Sequence, residues 1–521
     1  MKILFYLEPH PIRNRFESFN FIGMRIMRML RDEYIGKTSV GYEPHEVRIL
    51  LSRHYDKIIK EFPEMQPAIL GMSAEENNKL TAMKLDWQNN PKAIADWVDL
   101  MKGAGEVSEF YESVLERVQN GPYSFDLVIN WATNGAIRNY CEKHGIHNIS
   151  LEQGCVRNPI YESMYIDAMG VNGMAMSRYI DLSRVVPMDM EVLRLMLPSK
   201  STHDKAIDAI HNTIKSKYSA AIYEGIGRNV LIALQLKDDS NCILYSDYAS
   251  MHEMLSEVLP VLHDAGYKCF IKPHPAAKDR LINQFDHDDC KTYLNSFENN
   301  VYWLDDIVQN RDYIALLNKM DWIVTVNSSA GFEAMIYGKP VVILGDAPYR
   351  IGKQLPRLED MLSDEFDYNA YSDTCARIVT VMLRHYLVPS TMAHDFSYLM
   401  RYIDKATRAY DILQTNGASA MTDFIQGDVH LDFAIKQQLT TERVLQSRYA
   451  KYRDKLSPPT NLVDTPKPIT VISNEKKLEQ RSFKQSFSRK WAKLKRDPAK
   501  FCIDSKNPLL RYIGRLMGGR K

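Results

Sequence analysis

Two segments near the middle of the chain constrain its fold most, because each is an apolar strand that ends abruptly at polar groups. The first, Tyr267–Pro275, reads YKCFIKPHP, and the second, Ile323–Val342, reads IVTVNSSAGFEAMIYGKPVV. The second predicts a strand, a polar turn and a short helix that Gly338 ends. A helix N-terminus presents unpaired N–H groups and the positive end of its dipole, so this turn can receive a phosphate. The two segments together predict an anion site beside a sheet.

Alternating strands and helices predict a parallel sheet in each half of the chain. Phe125–Asn130, Ala136–His144 and Ile146–Glu152 are typical of a strand, a helix and a strand. The segments 229–235 and 250–263 begin the same alternation in the second half. The predicted fold class is α/β, with two Rossmann-like halves facing a cleft. Ligands of such sheets bind outside the carboxyl ends of the strands.

The first 120 residues are predicted to be one strand followed by extra helices. Met1–Glu8 indicates a buried strand, because it is too short and too soon followed by charge and proline for a signal peptide. Helical periodicity is predicted through 19–30, Val47–Leu51 and 97–115. Residues 180–222 are also predicted to be helical and to bridge the two halves.

Composition excludes several classes of protein. The net charge is +1 over 521 residues, so the whole molecule is not a polyanion binder. The seven cysteines form no CxxC pair and no metal-ligand spacing, which predicts reduced thiols in a cytosolic protein and no metal site. No apolar run approaches the roughly 18 residues of a membrane-spanning helix. We therefore expect a soluble or peripheral protein.

The composition changes near Pro458. A proline-rich linker is followed by a segment, 476–501, in which ten lysines and arginines alternate with aromatic residues. A basic amphipathic segment suits an anionic membrane surface, at about 1 kcal/mol per basic residue. The alternative is a solvated tail. Nucleic-acid binding is not favoured, because no recognition motif accompanies the charge.

Candidate donor-binding residues cluster at the two strand ends. His274 can donate a hydrogen bond to a phosphate oxygen of a nucleotide, while Pro275 fixes the turn and Lys272 adds positive charge. The alternative is a histidine that only stabilises a turn. The loop residues that can bind the same phosphates are Asn327, Ser328, Ser329 and Gly331. Their alternative is a plain helix cap. Glu333 can complement the helix dipole or bind ribose hydroxyls.

Candidate catalytic carboxylates lie in the first half. Glu152 ends a strand in the sequence LEQG, and Asp167 follows another apolar segment. A carboxylate facing the cleft can deprotonate an acceptor hydroxyl as general base. The alternative for Glu152 is a simple turn. Arg157 is the candidate on the acceptor side, and Gln235–Ser240 opens the second half at its own strand end.

These residues resemble the bacterial capsule polysaccharide biosynthesis family, whose members include β-Kdo glycosyltransferases. The matching segments are Glu152–Gly154, Gln235 with Asp238–Ser240, Lys272–Pro275 and Ser328–Ala334. The likeness covers roughly residues 125–350. One departure is that the central Asp of the family's strand end is Gln153 here, and glutamine cannot act as a general base.

The resemblance implies a GT-B fold and an inverting, metal-independent glycosyltransferase with no cofactor. It implies transfer of a Kdo-like sugar from a CMP-activated donor to a lipid-linked glycan acceptor, at the cytoplasmic face of the inner membrane. His274 would then stabilise the leaving group, Gln235 and Ser240 would help to bind the donor, and Glu152 or Asp167 would be the base. The alternatives are a UDP-sugar or CDP-polyol donor, or a non-catalytic capsule assembly or export protein.

Four parts of the chain are predicted on this basis. Residues 1–222 form a Rossmann-like acceptor domain with a helical insertion, and residues 223–415 form a Rossmann-like domain for the nucleotide-sugar donor. Residues 416–456 form a helical extension, and residues 457–521 form the linker and the basic, membrane-proximal tail.

Overall fold

Two mainly parallel β-sheets are the framework of the protein, as seen in a computed structural model. The residues it describes are 1–8, 20–34, 46–85, 87, 92–157, 161–190, 193, 228–304, 316–317, 319–363 and 365–427. All of them belong to the first of two units, Met1–Pro458 and Pro459–Lys521. The predicted basic tail and most of the predicted bridging helix at 180–222 lie outside the described residues.

Twelve strands are present in the described residues. They are β1 (Lys2–Tyr6), β2 (Glu46–Leu51), β3 (Ile69–Gly71), β4 (Leu127–Trp131), β5 (His147–Gln153), β6 (Ser163–Asp167), β7 (Asn229–Ala233), β8 (Lys268–Lys272), β9 (Val301–Trp303), β10 (Trp322–Thr325), β11 (Val341–Ile343) and β12 (Val388–Pro389).

The strands are connected mainly by α-helices. They are α1 (Asn20–Tyr34), α2 (Asp56–Glu61), α3 (Ala74–Leu85), α4 (Lys92–Lys102), α5 (Gly105–Gln119), α6 (Gly135–His144), α7 (Ser240–Tyr245), α8 (Met251–Asp264), α9 (Leu281–Tyr293), α10 (Ser329–Ile336), α11 (Leu358–Leu362), α12 (Tyr368–Thr380), α13 (Ser390–Ala393) and α14 (Phe396–Gln426).

The first sheet has the order β12-β6-β5-β4-β1-β2-β3, in which β1 to β5 are parallel and β6 and β12 are antiparallel to their neighbours. Successive side chains of a strand point to opposite faces, and both faces of this sheet are buried. Ile3 and Phe5 belong to the core under α1 and α14, while Leu4 and Tyr6 belong to the core under α3 to α6.

The second sheet has the order β11-β10-β7-β8-β9 and is parallel throughout. Helices α8 and α9 cover one face, where Val230 and Ile271 are buried, and α10 and α12 cover the other, where Leu231 and Phe270 are buried. The predicted α/β fold class with two Rossmann-like halves is therefore confirmed. The order places the carboxyl ends of β10, β7 and β8 side by side.

The predicted helical periodicity of Val47–Leu51 is wrong, because these residues belong to strand β2. Val47, Ile49 and Leu51 face one core, and Leu50 faces the other. A strand buried on both faces is an almost continuous apolar run, and such a run is too short to reveal its period. The N-terminal 120 residues therefore contribute three strands to the first sheet, as well as helices.

The chain returns to the first sheet after completing the second. β12 pairs with β6, and the Leu399, Met400 and Ile403 side chains of α14 pack into the same core as Phe5. The predicted boundary at 415/416 consequently lies within α14, one residue before a kink at Gly417, where φ is +83°. Among the described helices, none is both long and apolar enough to cross a membrane.

Candidate functional site

Three of the predicted segments meet at the carboxyl edge of the second sheet. Gln235 follows β7, His274 follows β8, and Asn327 follows β10, and these three strands are neighbours. Residues that are far apart in sequence are thus brought to one edge, as the parallel arrangement requires.

Gln235 and Asn327 form a buried amide pair between two of these strand ends. The Asn327 backbone N–H donates to Gln235 Oε1, and Gln235 Nε2 donates to Asn327 Oδ1, both over 2.9 Å. Asn327 Nδ2 also donates to the Asn241 carbonyl over 2.8 Å. Gln235 is only 3% exposed. These hydrogen bonds of Gln235 and Asn327, both predicted to bind the sugar donor, therefore hold the loop after β10 in place.

The loop after β10 leads into the N-terminus of α10. Ser328 caps this helix, and its Oγ accepts from the Ala330 N–H over 3.2 Å. Ser329 is the first helical residue and, like Ser328, is half-buried. Gly331 allows a close approach, because a Cβ atom there would lie 2.7 Å from the Tyr349 hydroxyl. That hydroxyl donates to the Ser328 carbonyl. Ser328 thus caps α10, and this N-terminus follows the carboxyl end of β10. The predicted phosphate-binding role of the loop stays a prediction.

His274 is held by two hydrogen bonds to nearby groups. Its backbone N–H donates to His287 Nε2 over 3.2 Å, and its Nδ1 accepts from the Ala276 N–H over 3.2 Å. A neutral imidazole whose Nδ1 accepts must carry its proton on Nε2. His274 therefore has the correct tautomer to donate from Nε2 to an anion.

A cavity of about 240 Å³ adjoins His274. It is lined by the His274–Pro275 turn, by His287 and Lys291 of α9, and by Trp303. Pro275 is exposed and Trp303 is buried. An aromatic surface beside donors and acceptors is typical of a site for a small polar ligand.

Lys272 and Glu333 bring opposite charges to the same edge. Burial lowers the pKa of Lys272, and the nearby Glu333 carboxylate opposes that change. Burial, together with the negative charge of Glu333, raises the pKa of Cys155 to about 12. Cys155 of the loop after β5 and Phe332 of α10 belong to one buried core cluster.

The loop after β7 is fixed by side chains of the same half. The Asp238 carboxylate accepts from Arg280 and from Asn283 Nδ2, the latter over 2.8 Å. Asp239 caps α7, in which Ser240 is the first residue. Ser240 is half-buried and lies beside this network.

The residues of the first half are placed differently from one another. Glu152 is half-buried at the end of β5, and its Oε1 accepts from the Gln153 N–H over 2.8 Å. Gln153 and Arg157 are exposed. Gly154 packs closely against β6, since a Cβ atom there would lie 2.2 Å from Ser163 Oγ. The Glu-Gln-Gly sequence is thus a tight strand end with a partly accessible carboxylate.

Asp167 is fully buried and saturated with donors. Its Oδ1 accepts from the N–H groups of Met169 and Gly170, and its Oδ2 accepts from the Met176 N–H and the Tyr386 hydroxyl. Burial raises its pKa to about 6 despite these hydrogen bonds. Of the two carboxylates predicted as base, only Glu152 is partly accessible to solvent.

Sequence reasoning missed a buried ionic cluster at the carboxyl end of β1. Glu8 Oε1 accepts from Lys84 Nζ over 2.9 Å and from Ser52 Oγ over 3.1 Å, and it lies 3.1 Å from His54 Nδ1. Burial alone would raise the pKa of Glu8, but Lys84 and His54 keep it below its ordinary value. The missed signal was a glutamate, Glu8, as the last residue of the predicted buried strand Met1–Glu8.

Contacts between the two halves lie close to these sites. Arg178 Nη2 donates to Asp346 Oδ1 over 2.6 Å, and Ser177 Oγ donates to the Pro348 carbonyl over 2.7 Å. Within the described ranges, no cluster of three or more His, Cys, Asp or Glu side chains could hold a metal ion.

Comparison with known proteins connects this geometry to a family. Residues 192–353 match the family model described as capsule polysaccharide biosynthesis protein. This segment contains the Gln235, His274 and Ser328 strand ends, so the predicted resemblance is confirmed there. Among curated proteins, none matches the chain.

Solved structures with a related outline have low identity and low TM-scores. A Thermosulfurimonas dismutans KpsC β-Kdo 2,7 transferase has 15% identity and a TM-score of 0.31, covering 68% of this chain and 99% of its own. The β-Kdo 2,4 transferase of the same organism's KpsC has 17% identity and a TM-score of 0.30, and the match covers 56% of this chain and 93% of the transferase. A Methanocaldococcus jannaschii UDP-GlcNAc 2-epimerase has 15% identity and a TM-score of 0.26, covering 73% and 99%.

Proposed function

We propose, from the family match of residues 192–353, that this chain is a glycosyltransferase of capsule or lipopolysaccharide glycan assembly. It transfers a Kdo-like sugar from a CMP-activated donor to a lipid-linked glycan acceptor. The observation that carries the proposal is the meeting of three strand ends, after β7, β8 and β10, at one carboxyl edge inside the matched segment.

The donor phosphate binds between His274 and the N-terminus of α10. His274 donates from Nε2, the hydroxyls of Ser328 and Ser329 supply further donors, and the positive end of the α10 dipole favours the anion. Lys272 adds positive charge. These groups stabilise the negative charge that develops on the phosphate as the nucleotide leaves, which is the larger part of the catalysis we propose.

The nucleoside occupies the cavity beside His274, where Trp303 supplies an aromatic wall and Lys291 a cation. Glu333 lies within reach of the same edge and is suited to accept from ribose hydroxyls. Gln235 acts indirectly, by holding Asn327 and hence the loop that binds phosphate.

Glu152 is the proposed general base. It lies at the carboxyl end of β5, three residues before Cys155, which belongs to the same buried core cluster as Phe332 of the second half. A carboxylate there can accept the proton of an acceptor hydroxyl that attacks the anomeric carbon from the side opposite to the leaving phosphate. Such a direct displacement inverts the configuration. Arg157, exposed beyond the same turn, is available to the acceptor.

The decisive experiment compares sugar transfer by His274→Ala and by the wild type. The purified protein is incubated with CMP-Kdo and candidate lipid-linked acceptors, and the product mass is read. We expect His274→Ala to abolish transfer while keeping the thermal transition of the wild type. His147→Ala, at an exposed position at the amino end of β5, is the matched control and should retain activity. Near-normal turnover by His274→Ala would refute the assignment.

Thermal shift with CMP, UDP and CDP distinguishes the alternatives. A ligand that binds the native state stabilises it and so raises the transition temperature. At a ligand concentration of one hundred times Kd, the stabilisation is about 2.7 kcal/mol. Preference for UDP or CDP would indicate a UDP-sugar or CDP-polyol donor. Nucleotide binding without transfer or donor hydrolysis would indicate a non-catalytic assembly or export protein.

We propose that the protein is located at the cytoplasmic face of the inner membrane and that the basic segment 476–501 attaches it to anionic lipids. The full chain should bind vesicles that contain anionic lipid and should not bind neutral vesicles. Raised salt should release it, because exposed charges are screened. Equal binding to both kinds of vesicle would contradict an electrostatic attachment.

A further inference from the structure

Helix α9 carries three buried polar side chains on one face. Asn283, Asp286 and His287 occupy positions i, i+3 and i+4, and each is at most 5% exposed. Residues with this spacing share a helix face. Burying polar groups is costly unless they are hydrogen-bonded, so their contacts reveal what this face does.

Each side chain holds a different element. Asn283 donates from Nδ2 to Asp238 Oδ1 over 2.8 Å, in the loop after β7. The Asp286 carboxylate accepts from the N–H groups of Met251 over 3.0 Å and His252 over 3.3 Å, at the N-terminus of α8.

His287 reaches the third element, the turn after β8. Its Nε2 accepts the backbone N–H of His274 over 3.2 Å. The Trp303 ring packs edge-on against the imidazole, with the ring centroids 6.3 Å apart. Burial lowers the pKa of His287, which favours the neutral form whose Nε2 can accept.

We propose that His287 is a positioning residue that fixes the backbone of His274 and thereby aims the His274 imidazole. The proposal rests on the proposed function, in which His274 binds the donor phosphate. Three hydrogen bonds shape the turn: from the His274 N–H to His287, from the Ala276 N–H to His274 Nδ1, and from the Ala277 N–H to the His274 carbonyl over 3.0 Å. The first anchors the turn to α9, and the second leaves Nε2 to carry the proton of the neutral imidazole. Without the first bond, the turn loses this anchor to α9.

The test compares His287→Leu with His287→Gln, because glutamine retains an acceptor and leucine does not. Hydrogen–deuterium exchange of the peptide that contains His274 reports the anchor without any substrate. Losing a hydrogen bond worth about 1.4 kcal/mol changes the equilibrium constant for opening of the turn by roughly tenfold. We expect about tenfold faster exchange of the His274 amide in His287→Leu, and near wild-type protection in His287→Gln. Asp289→Asn, at an exposed position of α9, is the matched control.

Titration with CMP gives the second measurement. We expect the Kd for CMP to rise about tenfold in His287→Leu, and to stay within about threefold of the wild type in His287→Gln. Unchanged exchange in His287→Leu, or equal weakening of CMP binding in both variants, would overturn the proposal. If the wild type does not bind CMP but the exchange pattern holds, the donor assignment fails and the anchoring role of His287 stands.

Discussion

Replacing Gln235 by methionine tests whether the amide pair is structural or binds the donor directly. Methionine keeps approximately the length and volume of glutamine but can neither donate to Asn327 Oδ1 nor accept its N–H in the same way. Both lost bonds are 2.9 Å long and lie in a buried environment. The bond from Asn327 Nδ2 to the Asn241 carbonyl remains possible.

The expected cost follows from those two bonds. A buried polar atom left without its partner costs about 1–3 kcal/mol. Two such atoms give roughly 2–6 kcal/mol, and we expect about 3 kcal/mol because methionine packs well in an apolar site. With an unfolding entropy of about 2.1 cal/mol/K per residue, the unit Met1–Pro458 loses about 1 °C of its midpoint of thermal unfolding per kcal/mol. The midpoint should therefore fall by roughly 3 °C.

Differential scanning calorimetry of the full chain without nucleotide measures this effect. Gln354→Met, at an exposed position of the same half, is the control and should leave the midpoint within about 1 °C. If Gln235→Met keeps the wild-type midpoint and only weakens nucleotide binding, the reasoning is wrong, and Gln235 contacts the donor itself.

Three further changes test the packing and the buried charges. Gly331→Ala should destabilise α10 by about 1–3 kcal/mol, because the new Cβ would lie 2.7 Å from the Tyr349 hydroxyl; an unchanged unfolding midpoint would contradict this close approach. The pKa of Asp167 rises from 3.8 to about 6 on folding, so ionising this carboxyl group in the folded protein costs roughly 3 kcal/mol. The protein should therefore lose up to that much stability as the pH rises from below 4 through 6. Asp167→Asn should remove that pH dependence, which unfolding midpoints of both proteins between pH 4 and 7 will show. Lys84→Met should lower the free energy of unfolding by about 3–5 kcal/mol, because it leaves the buried Glu8 carboxylate beside fewer positive charges. Adding Glu8→Leu should restore part of that stability. A double variant that is less stable than Lys84→Met would refute this.

The second half could be predicted well because its pattern is local. β8 and β10 are apolar runs ended by a proline or a polar turn, and Gly338, with φ of +74°, follows the helix end as expected. The location of the strand ends at one edge of the sheet followed from its parallel arrangement. What the sequence could not reveal is that Gln235 and Asn327 bond to each other, because that pairing depends on strand order.

The first half was harder to predict because its decisive information is long-range. The Val47–Leu51 run has no readable period, and only its pairing with β1 makes it a strand. Asp167 looked like a strand-end carboxylate, but its donors include the Tyr386 hydroxyl, 219 residues away. The cluster around Glu8 likewise joins positions 44 to 76 residues apart.

The return of α14 to the first sheet affects how the protein can be made. During synthesis, Phe5 and Ile49 emerge hundreds of residues before Leu399 and Ile403, which complete their core. The second sheet, whose strands all lie between 229 and 343, can be finished first. The nascent first half therefore keeps one apolar face without its final cover until the ribosome has passed residue 403, and exposed apolar surface of this kind favours aggregation during folding.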